Sequence, residues 1–436
     1  MELTKTGYKQ TEVGLIPENW RLYLVNDLIE LLTDYDANGS FSSVAENVKV
    51  YDYEQFAWYV RSTDLENNSK MSEVRYVDKE SYAFLKKTAL FGGELLFLKR
   101  GDIGNVYLFE MKTKYATVAP NLYLLKLNGI SNSKYLFYYF TSNQGQLQLK
   151  KKNASSTLGA LYKDDVKSIY VPLPPTLTEQ KAIATALSDV DALISSLDKL
   201  ITKKKAIKQG AMQELLTPPH KGGKRLPGFT GDWEEINLKD HIWFQEGPGV
   251  RKDQFKTIGV KLLNGTNIQN GKVILENTNR YISEEEAYGW YNHFLADAGD
   301  IIIACSGITV SKFEEKVSEL EERHLPLCMN TSTMRFKMKT NKVDKNFFIH
   351  YLKSINFKGQ IDGQATGSAQ LNFGPLHVEK VKILLPEIRE QREIATILTD
   401  IDNDILGYEE KRKKYLLLKQ GMMQELLTGK TRLFWN

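Results

Sequence analysis

The sequence lacks the features on which secreted and membrane-spanning proteins depend. Its 436 residues include only two cysteines, Cys305 and Cys328, which are too few for a disulfide framework and do not form a C-x-x-C pair. No apolar run approaches the length of about eighteen residues that a membrane-spanning helix needs. The opening MELTKTGYKQTEVG contains no apolar stretch of the kind found in secretory signals. We therefore expect a cytoplasmic protein that contacts no membrane, with both cysteines reduced in a core.

The sequence also lacks a strong excess of charge of one sign. Its 58 lysines and arginines nearly balance 54 aspartates and glutamates, which leaves a formal net charge of +4. This excess does not by itself predict nucleic-acid binding, because the clustering of basic residues matters more than their sum. Basic residues do cluster in two places, at residues 203–205 and 411–414.

Motifs for catalysis are missing as well. A methyl-donor site needs an Asn/Asp-Pro-Pro-aromatic loop, but the Pro-Pro pairs at residues 174–175 and 218–219 have neither the amide nor the aromatic neighbour. The GGKR at residues 222–225 lacks the spacing and the hydroxyl of an ATP-binding loop. His324 and Cys328 are four residues apart, but two ligands do not make a zinc site. We expect this chain to bind no metal and no cofactor and to contain no catalytic residues.

What the sequence does contain is a long internal repeat. The ten residues KQGAMQELLT, ending at Thr217, recur as KQGMMQELLT, ending at Thr428. Residues 179–217 align without a gap to residues 390–428, and 19 of these 39 positions are identical. Weaker similarity extends upstream, where STDLENN from Ser62 matches GTNIQNG from Gly265. The chain is thus a tandem duplication of a unit of about 210 residues.

The ends of the two copies are more alike than their fronts. A surface that fits the same partner, or its own duplicate, tolerates little change, whereas surfaces that read different ligands must diverge. We therefore interpret the ends as shared structural elements and the fronts as two recognition domains with different targets.

Each closely copied end has the pattern of a long helix. Proline followed by acidic residues marks the point where each helix begins. Apolar residues then recur at spacings of three and four, which is typical of a coiled-coil seam. This seam is predicted to contain Ile183, Leu187, Val190, Ile194, Leu197 and Ile201 in the first copy and Ile394, Leu398, Ile401, Ile405 and Tyr408 in the second. After an interruption by basic residues it is expected to resume with Ile207, Ala211 and Leu215 against Leu418, Met422 and Leu426.

A single amphipathic helix of this length cannot bury its apolar stripe alone. Its own duplicate is the preferred partner, and the two-fold relation implied by duplication would make the two helices antiparallel. About forty residues would form a rod of roughly 60 Å. The alternative is that each helix packs against its own globular domain.

The loosely copied fronts are predicted to be mixed α/β domains. Short alternating apolar runs, such as those beginning at Asn121 and Thr333, indicate strands. Amide and guanidinium side chains on loops are candidates for reading DNA, since Arg and Lys pair with guanine and Asn and Gln with adenine. The DNA-binding candidates are Arg61, Asn67, Asn68, Lys99 and Arg100 in the first domain and Arg251, Lys252, Asn264, Asn267 and Arg280 in the second.

Two segments of the chain share the pattern Pro-Pro-x-x-x-Glu-Gln-x-x-Ile-Ala. They are VPLPPTLTEQKAIATALSDVDALI at residues 171–194 and ILLPEIREQREIATILTDIDNDI at residues 383–405, where Glu387 replaces the second proline and the loop before Glu-Gln is one residue shorter. GVKLLNGTNI at residues 259–268 is a further point of similarity. Through these motifs the chain resembles, over essentially its full length, the specificity subunits of type I restriction-modification systems.

The resemblance implies an α+β fold with two pseudo-symmetric mixed α/β target-recognition domains separated by two long antiparallel coiled-coil helices. Each domain would read one half of a bipartite, asymmetric sequence in double-stranded DNA. The helices would set the half-site spacing and dock two methyltransferase subunits. The expected boundaries are residues 1–170 for the first domain, 171–217 for the central spacer helix, 218–232 for a linker, 233–385 for the second domain and 386–436 for the C-terminal spacer helix.

The same resemblance implies that the chemistry belongs to partner subunits. Methyltransferase subunits would bring S-adenosylmethionine and methylate adenine N6, and restriction subunits would bring ATP and Mg. This chain would be the non-catalytic specificity subunit of that complex.

The residues alone leave two other classes of function open. An adaptor protein would use the duplicated domains to hold two protein partners, and a DNA gel-shift with a partner methyltransferase separates this alternative from a DNA-reading subunit. An enzyme with an unrecognised site is the second alternative, and the purified chain would then turn over DNA and S-adenosylmethionine without help.

Overall fold

The computed structural model describes residues 7–152, 159–276, 278–362 and 370–433 of the chain. The chain divides into two compact units. Unit 1 consists of residues 1–198 together with residues 410–436, and unit 2 consists of residues 199–409. Each unit therefore contains one of the two fronts and parts of both closely copied ends. The expected first domain and C-terminal helix include residues 1–6, 153–158 and 434–436, which lie outside the described residues.

Unit 1 contains two sheets and two strand pairs. Its strands are β1 (Tyr8–Thr11), β2 (Gly14–Pro17), β3 (Arg21–Leu24), β4 (Ile29–Asp34), β5 (Val50–Tyr51), β6 (Ala57–Val60), β7 (Arg75–Val77), β8 (Ala89–Leu90), β9 (Leu95–Leu98), β10 (Val106–Leu108), β11 (Ala116–Val118), β12 (Leu122–Leu127) and β13 (Tyr170–Leu173). One sheet has the order β10-β9-β12-β4, and the other has the order β5-β7-β6-β11-β8 with β6 and β11 parallel. β1 pairs with β2, and β13 pairs with β3. The strand predicted from the run at Asn121 is β12, so that prediction is confirmed.

The helices of unit 1 pack on both of its sheets. They are α1 (Val25–Leu28), α2 (Phe41–Asn47), α3 (Ser62–Glu66), α4 (Lys79–Phe84), α5 (Ser133–Thr141), α6 (Asn143–Lys151), α7 (Lys163–Lys167) and the first part of α8 (Leu177–Leu215). α5 begins where the side chain of Asn132 accepts a hydrogen bond from the backbone N–H of Tyr135 at 2.9 Å, which satisfies one of the free donors of the first turn. The aromatic side chains of α5 join Leu95, Phe97 and Leu125 of the sheet in the main core.

Unit 2 repeats this plan, but its second sheet has three strands where that of unit 1 has five. Its strands are β14 (Glu234–Asn237), β15 (Ile242–Glu246), β16 (Val260–Leu263), β17 (Ile268–Gln269), β18 (Lys272–Val273), β19 (Tyr281–Ile282), β20 (Ile301–Ala304), β21 (Ile308–Thr309), β22 (Val317–Glu319), β23 (Leu327–Met329), β24 (Thr333–Met338), β25 (Gln370–Leu371) and β26 (Lys382–Leu385). The order of the antiparallel sheet is β15-β24-β20-β22, and a second sheet has the order β19-β16-β23 with β16 and β23 parallel. β14 pairs with β26, β17 with β18, and β21 with β25. The run predicted as a strand at Thr333 is β24.

The helices of unit 2 include a counterpart of α5. They are α9 (Leu238–His241), α10 (Glu284–Tyr288), α11 (Lys345–Lys353), α12 (Ile355–Asp362), α13 (Pro375–Val378) and the first part of α14 (Ile388–Leu426). Asp344 caps α11 by accepting from the backbone N–H of Phe347 at 3.1 Å, as Asn132 caps α5. Phe347, Phe348 and Leu352 of this helix are fully buried in the core of the unit.

The two closely copied ends form helices of equal length, and each starts later than expected. α8 and α14 each contain 39 residues. The expected spacer helix at residues 171–217 includes most of β13, because residues 170–173 pair with β3 instead of continuing the helix. Pro174 follows that strand, and Pro386 follows β26 in the same way. The residue before a proline is disfavoured in helical conformation, so the helix can begin only after it.

Within each unit the two long helices run antiparallel. In unit 1 Asp191 pairs with Lys419 at 2.7 Å, and Asp198, further along α8, pairs with Arg412, which is earlier in α14. In unit 2 Lys208 pairs with Asp402 at 2.6 Å. The predicted α+β fold class with two long antiparallel helices is therefore confirmed.

One of these ion pairs occurs at equivalent positions in both copies of the repeat. Lys208 and Asp402 occupy the positions in the repeat that correspond to Lys419 and Asp191. The basic cluster at residues 203–205 is likewise used for pairing, since Lys204 contacts Asp404 at 2.6 Å and Lys205 contacts Glu409 at 2.7 Å. The basic residues that interrupt the apolar seam thus serve to join the two helices.

The apolar seam lies partly between the helices and partly against the domains. Ile183 and Leu187 belong to the core of unit 1, and Ile394 and Leu398 belong to the core of unit 2, so the first turns of each helix pack on the adjacent domain. The alternative of packing on the helix's own domain therefore holds for the first turns. The last turns also reach domain cores, since Ala211 and Leu215 pack against the core of unit 2 and Met422 and Leu426 against the core of unit 1. The other predicted seam residues are buried at Val190, Ile194, Leu197, Ile201 and Ile405 and half-buried at Ile401 and Tyr408.

The prediction that Ile207 and Leu418 continue the seam is wrong. Their side chains are 46% and 48% exposed. Lys208 and Lys419, one position later, take the inward direction and pair with the acidic residue of the other helix. The two apolar side chains, at equivalent positions of the repeat, consequently point to solvent.

A glycine after α14 allows the chain to pass close to the first hairpin of unit 1. Gly429 has φ of +70°, and a Cβ at this position would lie 2.5 Å from Pro17. The hydroxyl of Tyr8 donates to the carbonyl of Gly429 at 3.2 Å. A residue with a side chain would be strained here both by its backbone conformation and by the close approach.

Candidate nucleic-acid interface

Equivalent loops follow β6 in unit 1 and β16 in unit 2. The backbone N–H of Arg61 donates to Asp64 Oδ2 at 3.1 Å, and the backbone N–H of Asn264 donates to Asn267 Oδ1 at 2.9 Å. Each loop leaves a strand that has a parallel neighbour, β11 or β23. The weak similarity between STDLENN and GTNIQNG therefore reflects one turn built twice with different side chains.

Two of the DNA-binding candidates in unit 1 are engaged within the chain. The guanidinium of Arg61 donates to the buried carboxylate of Asp64, with Nη2 to Oδ1 at 2.6 Å. Lys99 Nζ lies 2.8 Å from Asp34 and 2.9 Å from Asp36. Burial raises the pKa of Asp34, but the hydrogen bonds and positive charges of Lys163 and Lys99 outweigh burial and lower that pKa. Both cations are thus occupied by carboxylates of their own unit.

The other candidates in unit 1 lie on the surface. Asn67 and Asn68 are exposed at the end of α3, where Asn68 adopts a left-handed φ of 46° and accepts a hydrogen bond from Lys112 at 3.2 Å. The backbone of Arg100 forms an isolated bridge with Ala160, and its side chain is exposed. These three residues retain hydrogen-bonding groups that face solvent.

In unit 2 the structure brings three of the five candidates into one cleft. Asn264, Asn267 and Arg280 line a cleft of about 350 Å³, together with Gly265, Thr266, Thr278, Asn279, Ser306 and Ser332. None of these residues is acidic. Arg251 and Lys252 are exposed at the start of the 3₁₀ turn Lys252–Gln254 and do not line this cleft.

The two asparagines of the cleft hold the loop together. Asn264 Nδ2 donates to the carbonyl of Leu262 at 3.2 Å, and its Oδ1 accepts from Asn330 at 2.9 Å. Asn267 is buried, with its Oδ1 used by the turn and its Nδ2 donating to the carbonyl of Ile274 at 3.0 Å. The sequence suggested that these two amides read adenine. In the structure, the amides form hydrogen bonds within the chain instead.

Arg280 has a different environment in the same cleft. Its guanidinium lies over the ring of Phe255, at 5.3 Å from the ring centre, and has no acceptor among the described residues. Its exposed neighbour Asn279 and the adjoining Thr278 also line the cleft but were not among the DNA-binding candidates. The polar run at residues 278–280 was the feature of the sequence that could have indicated them.

A buried Glu-Gln pair fastens each long helix to its domain. Gln180 accepts from the backbone N–H of Asn132 at 2.8 Å, and Gln391 accepts from that of Asp344 at the same distance. The preceding glutamates are also buried, and each is paired with an arginine that follows the end of the other long helix. Arg432 Nη2 contacts Glu179 at 2.9 Å, and Arg225 Nη2 contacts Glu390 at 2.8 Å.

No group of three or more His, Cys, Asp or Glu side chains among the described residues is arranged to hold a metal ion. Both cysteines are buried and free, and burial raises the pKa of Cys328 to about 12, so this thiol stays protonated at neutral pH. Across the same residues, no helix is both long enough and apolar enough to cross a membrane.

A family model settles what these duplicated units are. The type I restriction modification DNA specificity domain matches residues 17–209 and, a second time, residues 230–417. The chain belongs to this family. It is a type I specificity subunit with two recognition domains, and the family expected from the two Glu-Gln motifs is confirmed. Each matched range includes one cluster of DNA-binding candidates and most of one long helix.

Several proteins are similar to this specificity subunit over nearly its whole length. The type I restriction enzyme MjaVIII specificity subunit of Methanocaldococcus jannaschii is 26% identical over 434 residues, which cover 98% of this chain and 96% of that protein. The putative MjaX specificity subunit of the same organism is 26% identical over 445 residues, covering 98% and 97%. The crystal structure of the S subunit from M. genitalium is 15% identical with a TM-score of 0.56 and covers 98% of both chains. At that identity the likeness shows a common fold.

Proposed function

We propose that this specificity subunit reads a bipartite, asymmetric DNA sequence, with one half read by each unit. The observation that carries the proposal is the turn at Arg61 and Asn264, where the same backbone hydrogen bond supports unlike side chains. Two domains that share a scaffold but differ in the groups they display should recognise different base sequences. The proposed recognition domains are residues 1–170 and 233–385.

Residues with free polar groups on the surface are the proposed DNA contacts. Of the ten candidates, Arg61, Lys99, Asn264 and Asn267 have their side chains engaged within the chain, and we assign them a role in holding the loops. Exposed lysines and arginines would neutralise phosphates, and exposed amides and guanidinium groups would contact base edges. The proposed contacts are Asn67, Asn68, Arg100, Arg251, Lys252 and Arg280.

We infer that the long helices set the spacing between the two half-sites. α8 and α14 are each uninterrupted over 39 residues, and each contributes residues to both units. A helix rises about 1.5 Å per residue, so a fixed number of residues corresponds to a fixed distance. The spacer segments at residues 171–217 and 386–436, with the linker at 218–232, would keep the half-sites in a constant register.

We also propose that the outer faces of these helices dock two methyltransferase subunits. Large apolar side chains on the helices remain exposed in both units, and exposed apolar side chains can serve as sites of protein association. They are Leu193, Leu416, Leu417 and Leu418 in unit 1 and Ile207, Ile397 and Leu406 in unit 2. Ile207 and Leu418 occupy equivalent positions of the repeat, which fits two copies of one partner.

The partner subunits would supply the chemistry. Methyltransferase subunits would hold S-adenosylmethionine and methylate adenine N6, and restriction subunits would hold ATP and Mg. This chain would act in the cytoplasm on double-stranded DNA as the non-catalytic specificity subunit of that complex.

Methylation mapping tests the proposed function. Sequencing N6-methylated adenines in the source genome, with and without the gene for this chain, should reveal one motif made of two unlike halves around a spacer of constant length. The complex reconstituted with its methyltransferase should bind that motif more tightly than unrelated DNA, and its affinity for both should fall steeply as salt rises. If deleting the gene left methylation unchanged, or if the affinity did not depend on DNA sequence, the adaptor alternative would be favoured.

A further inference from the structure

The cleft of unit 2 has the electrostatic character of a site for an electron-rich group. Its nine lining residues contain one cation, Arg280, and no carboxylate. Two other clefts of the same unit contain carboxylates beside their cations: Glu276 with Lys261 and Arg323 in one, and Asp297 and Asp300 with Lys337 and Lys345 in the other. In the cleft of Arg280 a group with exposed acceptor atoms meets a cation and no opposing carboxylate among the named lining residues.

Four of the eight polar side chains that line this cleft have partners within the chain. Asn264 and Asn267 hold the loop, Ser332 accepts from the backbone N–H of Gly265 at 2.9 Å, and Ser306 bonds to Asn372 at 3.0 Å. Arg280 is the charged donor of the cleft that has no acceptor among the described residues. It is also exposed, so a ligand can reach its edge.

The guanidinium of Arg280 lies over the ring of Phe255, with Cζ 5.3 Å from the ring centre. A cation–π contact of this kind positions the guanidinium without using its N–H groups, which stay available for hydrogen bonds. The backbone holds the two residues together, because Lys256, next to Phe255, exchanges hydrogen bonds of 2.8 and 3.2 Å with Tyr281, next to Arg280. The carbonyl of Arg280 also accepts from the backbone N–H of Leu262 in β16 at 3.0 Å.

We propose that Arg280 reads a guanine in the half-site bound by unit 2, by donating two hydrogen bonds to O6 and N7 in the major groove, and that Phe255 is its positioning residue. This inference rests on the proposed function. A planar donor fork held in one orientation matches the two acceptors of guanine, whereas a contact to phosphate needs only charge.

Unit 1 offers a contrast that sharpens the assignment. Its loop also carries an arginine, Arg61, but that guanidinium is directed onto the buried carboxylate of Asp64. In unit 2 the equivalent of Asp64 is Asn267, which is neutral. The free arginine of unit 2 lies instead on the neighbouring loop before β19, so the two half-sites should differ at the position read there.

The test measures the DNA affinity of variants, each as the full chain in complex with its methyltransferase. The duplexes carry either the mapped motif or that motif with a single base-pair change in the second half-site. Arg280→Ala and Arg280→Lys should each lower discrimination at one G·C pair by about 10- to 100-fold while leaving affinity for unrelated DNA and the salt dependence almost unchanged. Phe255→Leu should lower discrimination at the same pair by a smaller factor. Arg323→Ala, at an exposed arginine of unit 2 outside the cleft, is the matched control and should change neither quantity.

The outcomes separate this inference from the proposed function. If the parent complex shows no sequence-specific binding, both are overturned. If the parent binds specifically and Arg280→Ala matches the control, the inference alone is wrong. It is also wrong if Arg280→Ala weakens binding to all sequences equally while Arg280→Lys restores it, because that pattern identifies a phosphate contact.

Discussion

Arg225 and Glu390 form an ion pair at 2.8 Å in which the glutamate is completely buried. Arg225 follows the end of α8, whereas Glu390 lies in the first turn of α14, 165 positions further along the chain. The same guanidinium also donates to the carbonyls of Thr230 and Gly231. One arginine thus ties the segment that leads into the second recognition domain to the beginning of the second long helix.

Removing this arginine should strongly destabilise unit 2. Arg225→Ala leaves the carboxylate of Glu390 buried without its cation, which we expect to cost about 3 kcal/mol of unfolding free energy. Lys224→Ala is the matched control, since its pair with Glu214 is exposed and should contribute less than about 1 kcal/mol. Denaturant unfolding of the two variants measures the difference. Equal losses in both would show that burial of Glu390 does not matter.

The duplicated ion pair between the helices should tolerate exchange of its charges. Asp402→Lys places two cations opposite each other at a partly buried position beside Lys208 and should cost about 1 to 2 kcal/mol. Adding Lys208→Asp reverses the pair and should recover most of that loss. Thermal unfolding of the single and double variants at low and high salt would reveal the coupling, and purely additive losses would argue against direct pairing.

His350 should make unit 2 sensitive to acid. Burial lowers the pKa of this residue to about 3, whereas the imidazole of an unfolded chain titrates near 6.5. Below pH 6.5 the unfolded chain gains a proton that the folded chain does not, so stability is complete above this pH. It should then fall by up to about 1.4 kcal/mol per pH unit as pH drops toward 3.

A glutamine variant isolates the contribution of this histidine. His350→Gln does not titrate and keeps a group able to bond Thr399, which lies 3.0 Å from His350 Nε2. Unfolding free energies measured between pH 7 and 5 should decline less steeply for the variant than for the parent. Parallel slopes would mean that other groups dominate the acid response.

The exposed apolar positions should decide how many methyltransferase subunits bind. Leu418→Asp in unit 1 and Ile207→Asp in unit 2 should each remove one subunit, and the double variant should bind none. Because both side chains are about half exposed, the isolated chain should keep its stability. Mass measurement of the purified complexes gives the stoichiometry, with Lys413→Asp at an exposed polar position of α14 as the control. Two bound subunits in the double variant would contradict this docking surface.

Exchange of a recognition domain should alter one half of the target. Replacing residues 1–170 with the same region of a related specificity subunit should change the half-site read by unit 1 and leave the other half and the spacer unchanged. Methylation mapping of cells that express the hybrid would show which bases changed. A change in both halves would mean that the two units do not read DNA independently.

The sequence by itself determined the duplication, the two long helices and the family. Each of these depends on local pattern: helical periodicity is visible within about forty residues, and the Glu-Gln motif occurs twice in recognisable form. The positions of β12 and β24 followed from short alternating runs for the same reason.

Only the tertiary structure decided which polar side chains are free. Arg61 and Arg280 are both loop arginines in the sequence, but one faces a buried carboxylate and the other lies on an aromatic ring with its donors free. Likewise, the spacing of Ile207 and Leu418 suits the seam, yet the neighbouring lysines reach the acidic residues of the other helix and turn both side chains outward. Whether a polar side chain finds a partner within the chain is decided by loop conformation and packing, which no local period in the sequence records.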